Sequence, residues 1–368
     1  MLTDAAPPKI DVLLAVYNCE KYLLLSLESL KNQTFTEFRV LIVDDGSTDN
    51  SASIAEEFAS RDPRFKVFRR EHSGHVDALN FGLSCVTAPY IARHDADDIS
   101  LPGRLAMELS YLERHLDVGA VSCCFFDISG GSAVTGINRP PLDQFDANPF
   151  ETPAREHRLS QPFLLARTSE IRGVGGYRHI LHSEDADLYW RLSLRTRLKN
   201  LPDVLGIYRR HSESVSAKSA HNAIVQSFFS QLAALSYRRI VALIPDFAIT
   251  KAFADSIDST ETLDEMIDKV AGLTDAERAY LECSAYTKSF EAFKSRSIRV
   301  QPGFLLAALS VYSNAIRRGD RNARKLGRRI RRGVRLFLRQ DNPLTLKLRI
   351  ALKYTATFLK MNLRAVIR

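Results

Sequence analysis

The first 215 residues alternate short apolar runs with amphipathic stretches of helical period, and that order admits few folds. Ile10–Val16 (IDVLLAV) and 39–43 (RVLIV) have the length and continuous apolarity of strands buried on both faces of a parallel sheet. Between them, residues 20–32 place Tyr22, Leu23, Leu27 and Leu30 on one helical face, with Asn18 expected as its cap. Helices are expected again at 51–60, 76–85 and 101–115, and strands at 65–68, 89–92 and 119–125. Strands alternating with helices predict a doubly wound α/β sheet whose ligands sit at the carboxyl ends of its strands. Two acidic clusters, at 44–45 and 95–98, fall at such ends.

Residues 140–162 hold five prolines and little apolar periodicity, which predicts an excursion over the site. A strand (162–166), a glycine-rich turn (173–176), a helix (184–197) and a strand (200–208) then resume the pattern. Beyond about residue 216 the strand signal fades, and helices are expected at 223–244, 263–270, 275–293 and 303–316. Leu326, Ile330, Val334 and Leu338 follow at steps of four among arginines, the pattern of a basic amphipathic helix, with mixed Leu, Lys and Arg continuing over 344–367. The expected organisation is an α/β domain over 1–215, a helical region over 216–316 and a basic tail over 317–368.

Charge sets the tail apart. Residues 317–368 carry 17 Lys and Arg against Asp320 and Asp341, a balance of +15. Subtracted from the total of +8, this leaves −7 for the first 316 residues, so two modules with different partners are expected. No nucleic-acid-reading motif accompanies the basic helix and the body is acidic, which argues against a nucleic-acid partner. A solvated surface or an oligomer contact is the plain alternative. Arginines interleaved with Leu, Ile, Val and Phe suit an anionic membrane surface best. The five cysteines (Cys19, Cys85, Cys123, Cys124, Cys283) form no Cys-x-x-Cys pair, which argues against a disulfide framework or a zinc site and suits a reducing compartment. The polar, proline-containing stretch 1–9 is not expected to be a signal peptide, and no uncharged apolar run approaches the ~20 residues a spanning helix needs. The expected location is cytoplasmic, peripheral at the inner face of the membrane.

Three constellations carry candidate chemistry. Asp95, Asp97 and Asp98 crowd three carboxylates into four positions after a strand. A turn that caps the next helix through Asp98 or Ser100 needs one acceptor, not three charges. Hard oxygen ligands at a strand end suit Mg²⁺ or Mn²⁺ shared with substrate phosphates. Asp44 and Asp45, before Gly46, read either as a turn capping the helix near Ser51 or as acceptors for a nucleotide base or ribose. Glu184, Asp185 and Asp187 open the helix that contains the only tryptophan, Trp190. Acidic residues there complement the helix dipole, and one facing an acceptor could act as a general base.

Six segments, AVYNCEKYLLLSLESLKNQT, RVLIVDDGSTDNS, HSGHVDALNFGL, YIARHDADDISLPGRL, GGYR…SEDADLYWRL and LPDVLGIYRRHSESVS, occur in the order found in family 2 glycosyltransferases. Over roughly residues 9–215 the chain resembles that family of inverting, nucleotide-sugar-dependent enzymes of GT-A fold. The resemblance implies a nucleotide site at Asp44 and Asp45, with Val16, Tyr17 and Asn18 as its wall. It implies metal and diphosphate contacts at Asp95 and Asp97, with Asp98 supporting the loop, and Mn²⁺ or Mg²⁺ as cofactor. In Glu184-Asp185 it makes Asp185 the base, and it makes Tyr208 to His211 a segment over the diphosphate, with His211 a candidate metal or phosphate contact and Arg209 beside it. Relatives often read Ala-Arg-Asn where this chain has Ala78-Leu79-Asn80, so Arg93 is the candidate substitute for the missing arginine. They often read His-Pro where this chain has Gln161-Pro162, and the Gln-x-x-Arg-Trp motif of processive synthases is not found.

The expected activity, by resemblance, is one inverting displacement from a nucleotide-sugar, a UDP-sugar, to a hydroxyl of a saccharide or lipid-linked saccharide in cell-surface polysaccharide or glycolipid assembly. The rivals are a non-catalytic or sugar-nucleotide-binding relative, and a nucleotidyltransferase of similar fold.

Overall fold

The computed structural model describes residues 7–129, 133–144, 146–211, 219–295, 300–319, 323–339, 347 and 350–355. The chain divides into two compact units: Met1–Asp146, His157–Arg178 and Glu184–Ser212 form the first, and Ala147–Glu156, His179–Ser183 and Glu213–Arg368 the second. The expected boundary at 215/216 lies outside the described residues, as does most of 340–368.

The first unit is built on one mixed sheet. Its strands are β1 (Ile10–Val16), β2 (Phe38–Asp44), β3 (Phe65–Arg69), β4 (Tyr90–Arg93), β5 (Ile99–Ser100), β6 (Val118–Ser129), β7 (Val134–Asn138), β8 (Leu165–Arg167) and β9 (Arg197–Arg210). They lie in the order β3-β2-β1-β4-β8-β6-β9-β5, with β7 on β6. β3, β2, β1 and β4 run parallel, as the alternating pattern predicts. β8 departs from that pattern, because it enters antiparallel between β4 and β6. A parallel neighbour needs a crossover connection, usually helical, and among the described residues the chain between β6 and β8 supplies only β7, loops and a single 3-10 turn (Gln161–Phe163).

Both faces of β1 are covered, which explains its unbroken apolarity. Val12 and Leu14 pack with Leu23 and Leu27 of α1 (Glu20–Lys31) and Leu105 and Leu109 of α4 (Arg104–Arg114). Leu13 points the other way, to Leu79 and Leu83 of α3 (His75–Cys85) and Leu188 of α6 (Glu184–Leu192). Each such leucine, fully buried, contributes about 1.5–3 kcal/mol. The packing sets Val16 opposite Asp44 and Leu13 opposite Arg93, so the carboxyl ends of β1, β2 and β4 open on one edge.

Two expected caps are corrected. Asn18 does not cap α1, because it sits at φ 50° and its Oδ1 accepts from Thr48 N at 2.8 Å. The amides at the start of α1 instead donate to the start of α2 (Ser51–Arg61) and the loop before it: Cys19 N to Ser51 Oγ at 2.8 Å, and Glu20 N to Asp49 Oδ2 at 3.0 Å. Neither Asp98 nor Ser100 caps α4, whose first turn begins only after Pro102 and Gly103. α5 (Thr168–Gly173) completes the helices of this unit.

The second unit packs α7 (Ala220–Val241), α8 (Lys251–Asp258), α9 (Leu263–Asp268), α10 (Asp275–Ser295), α11 (Pro302–Arg317) and α12 (Ala323–Arg339) around one apolar core. α8 has no counterpart among the expected helices. Ala254 and Ile257 are its buried residues, Phe253 packs partly buried against Phe229, and Thr250 caps it by accepting from Phe253 N. On α12, Leu326, Ile330 and Val334 are buried as a stripe, but Phe337 completes it and Leu338 is exposed. A strict step of four advances about 40° per step on a helix of 3.6 residues per turn, so Leu338 has drifted off the face. Arg324, Arg328, Arg331, Arg332 and Arg335 are exposed. Among the described residues no helix is long and apolar enough to cross a membrane.

Candidate active site

The loop after β4 distributes its three carboxylates to three partners. Asp95 Oδ1 accepts from Arg93 Nη2 at 2.7 Å, and the buried Arg93 side chain also donates to the Leu13 carbonyl at 2.9 Å. Asp97 Oδ2 lies 2.8 Å from His211 Nε2. Asp98 is buried, and its Oδ1 accepts from Arg209 N at 2.8 Å, tying this loop to the end of β9. Arg209 returns the contact by donating from Nε to the Asp97 carbonyl at 3.0 Å, with its guanidinium 4.7 Å from the Tyr22 ring centre. Burial, and then the neighbouring Asp95, push the Asp97 carboxyl above its ordinary range, while His211 pulls it back. Burial, then Asp97 and Asp95, hold Asp98 well above it. A crowded, proton-retaining acidic loop of this kind is what a cation or a cationic partner would relieve.

Asp97 and His211, 2.8 Å apart, are the pair that could hold a divalent cation. Among the described residues no group of three His, Cys, Asp or Glu side chains converges as a metal site, and Asp95 is turned to Arg93. A carboxylate and an imidazole completed by phosphate oxygens and water fit Mg²⁺ or Mn²⁺, which are seldom caged by protein alone.

At the ends of β1 and β2 the two aspartates separate in role. Asp45 is occupied: Oδ1 accepts from Ser73 N and Ser73 Oγ, both at 3.0 Å, and Oδ2 accepts from Gly74 N at 2.9 Å. It therefore anchors the turn that opens α3, with His72 Nδ1 2.9 Å from its Oδ2. Asp44, also buried, meets among the described residues only Ser47 N, at 3.4 Å from Oδ1, and keeps acceptor capacity. Above this edge Tyr17 stacks on His72, with ring centres 4.2 Å apart and both rings about half exposed. Gly46 is required there, because a Cβ would stand 2.7 Å from His72 N and the residue holds φ +75°. His72 was not among the expected site residues: it opens the HSGHVDALNFGL segment, but the residues alone gave it no chemical role.

Glu184 and Asp185 begin α6. Asp185 is half-buried and lines a cleft of about 470 Å³ together with Asp95, Tyr208 and Arg210. Glu184 is buried, with His75 Nε2 3.7 Å from its Oε1, and its carboxyl is pushed up to about 8, first by burial and then by Asp185. Trp190 is buried and is not among the residues that line the cleft; it meets the His157 ring edge-on at 4.7 Å. Leu79, at the position of the arginine that relatives carry, is buried in the core, and Asn80 clamps the Tyr177 backbone at both its N–H and its C=O. Arg104, also unforeseen, donates to the Arg93 carbonyl at 2.8 Å and steadies the loop from behind.

The mixed α/β sheet, with acidic loops at the carboxyl ends of its parallel strands and Asp185 of α6 lining the cleft beside Asp95, has the GT-A fold. S. aureus TarS, crystallised as residues 1–349 in complex with UDP-GlcNAc, shares this fold with a TM-score of 0.53, at 19% identity over 88% of this chain and 92% of that one. The family profile described as "Glycosyl transferase family 2" matches residues 11–168. The amylovoran biosynthesis glycosyltransferase AmsE of Erwinia amylovora is 34% identical over 224 residues, 58% of this chain and 81% of that protein. The O-antigen biosynthesis glycosyltransferase WbnJ of Escherichia coli is 29% identical over 217 residues, 57% of this chain and 83% of that protein. The chain belongs to glycosyltransferase family 2 and is a glycosyltransferase.

Proposed function

We propose that the protein transfers a sugar from a UDP-sugar to a hydroxyl of a saccharide or lipid-linked saccharide, with inversion, in cell-surface polysaccharide or glycolipid assembly. The observation that carries the reading is the single cleft lined by both Asp95 and Asp185, which sets a candidate base beside the acidic loop. The names of AmsE and WbnJ support the polysaccharide setting.

Asp44 accepts from the nucleobase, and the Tyr17–His72 pair offers an aromatic face for it. Arg93 holds Asp95 in position at the donor. When bound, a divalent cation on Asp97 and His211 supplies positive charge that stabilises the departing diphosphate. Asp185 takes the proton of the acceptor hydroxyl. That oxygen bonds to the anomeric carbon as the bond to the diphosphate oxygen breaks, and the electron pair leaves with the nucleoside diphosphate. One displacement inverts the centre. In the same reading the exposed arginines of α12 bring the protein to an anionic membrane at the inner face of the cell membrane.

Asp185→Asn tests the base. Nucleoside diphosphate release from donor, Mn²⁺ and acceptor is expected to fall by about 100-fold or more, with UDP binding retained in calorimetry. Turnover near wild type would remove Asp185 from this role, and pyrophosphate release from a sugar phosphate and a nucleoside triphosphate would favour a nucleotidyltransferase.

A further inference from the structure

The cleft beside Asp95 and Asp185 has a second property, a surplus of positive charge. Arg139, Arg158 and Arg210 all line it. Arg210 is held by Asp127, with Nε 2.8 Å from Oδ1. Arg139 and Arg158 are exposed and have no carboxylate partner among the described residues. Gln161 adds a donor, because its Nε2 is buried and finds no hydrogen-bond acceptor among the described residues. Phe125, Leu159 and Pro162 form apolar wall, and such surroundings strengthen electrostatic contacts relative to open water.

The opposing acids do not answer this charge. Asp95 is paired with Arg93, and Asp185 is assigned to the transferred proton. Asp97 and His211, which mark the diphosphate side, lie outside the lining of the cleft. The two arginines therefore stand on the side from which the acceptor approaches Asp185. A guanidinium presents paired N–H groups that match a carboxylate or a phosphate, whereas a neutral hydroxyl uses only one of them. A neutral acceptor would engage neither charge, whereas an anionic one could pair with both.

We propose that the acceptor is an anionic saccharide, carrying a uronate carboxylate or a phosphate that Arg139 and Arg158 recognise. This rests on the reading of Asp185 as the base of transfer to a saccharide.

The test titrates the full-length protein, loaded with UDP and Mn²⁺, with methyl glucuronoside, methyl glucoside 6-phosphate and neutral methyl glucoside. At least one anionic probe is expected to bind about tenfold more tightly than the neutral one, and whichever of the two wins identifies the anion. In Arg139→Gln/Arg158→Gln that ratio is expected to fall to within about twofold, and each single variant to lower it partly, which serves if the double variant does not fold. Arg197→Gln, which removes an exposed arginine paired with Asp117, is the matched control and keeps the ratio. Equal binding of all three probes, no binding of either anion below about 10 mM, or an unchanged ratio in the arginine variants overturns the proposal. So does a result in which the variants lose discrimination between UDP-glucuronic acid and UDP-glucose while the acceptor ratio holds, since the anion would then belong to the donor sugar. Failure of the underlying reading shows separately, as wild-type protein that releases nucleoside diphosphate from no nucleotide-sugar.

Discussion

Burial pushes the Glu184 carboxyl up to about 8, and the charge of Asp185 beside it acts in the same direction. In the folded protein Glu184 thus keeps its proton well above the 4.5 at which it titrates when exposed. Between those two values the folded state binds more protons than the unfolded state, so stability falls as pH rises across the window. Below the window the contribution of Glu184 is fully present, and above about 8 it is lost. Glu184→Gln imitates the neutral side chain. Its melting temperature is expected to match wild type near about pH 5 and to exceed it by at least about 2 °C near about pH 9. Parallel curves at both pH values would mean that Glu184 is ionised in the fold. The position of this residue was legible from its motif, but its proton was not, because it depends on burial by distant segments. The same holds for His72, Arg139 and Arg158: each stands in a loop with no periodic signal, and only the fold brings it to the site.

Elements here are secured by side chains from other elements more than by their own caps. The start of α1 is satisfied by Ser51 and Asp49, about thirty residues later, and the start of α3 by Asp45. Sequence periodicity located most strands and helices to within a few residues, since alternating burial writes itself into the chain. It did not reveal these exchanged caps, nor the antiparallel entry of β8, because neither leaves a repeating pattern. The adjacent acids of β2 and its loop give a direct check. Asp45→Ala removes the acceptor of two backbone amides and a hydroxyl, and should lower unfolding free energy by about 1–3 kcal/mol in urea titration. Asp44→Ala should cost less stability while weakening UDP binding by about tenfold. If both variants lose UDP affinity at unchanged stability, Asp45 acts at the nucleotide and not on the turn.

Over the whole chain the contrast in charge is plain in the sequence, but what it means for the tail is not. The apolar stripe of α12 read as a face for lipid, yet Leu326, Ile330, Val334 and Phe337 are closed into the core of the helical unit. Removing residues 317–368 would therefore open that core, and loss of vesicle binding by such a truncation would report unfolding. What α12 leaves outside is charge: Arg324, Arg328, Arg332 and Arg335 are exposed. The proposed contact with a bilayer through them would be electrostatic, about 1 kcal/mol for each well-placed residue, without insertion of the stripe. Full-length protein is expected to sediment with vesicles containing phosphatidylserine, to stay free of phosphatidylcholine vesicles, and to release as salt approaches about 1 M, where screening acts within about 3 Å. Replacing the four arginines by glutamine should weaken binding by about tenfold or more at an unchanged melting temperature. Binding that persists in high salt, or that survives the fourfold replacement, would show that these arginines are not what meets the membrane.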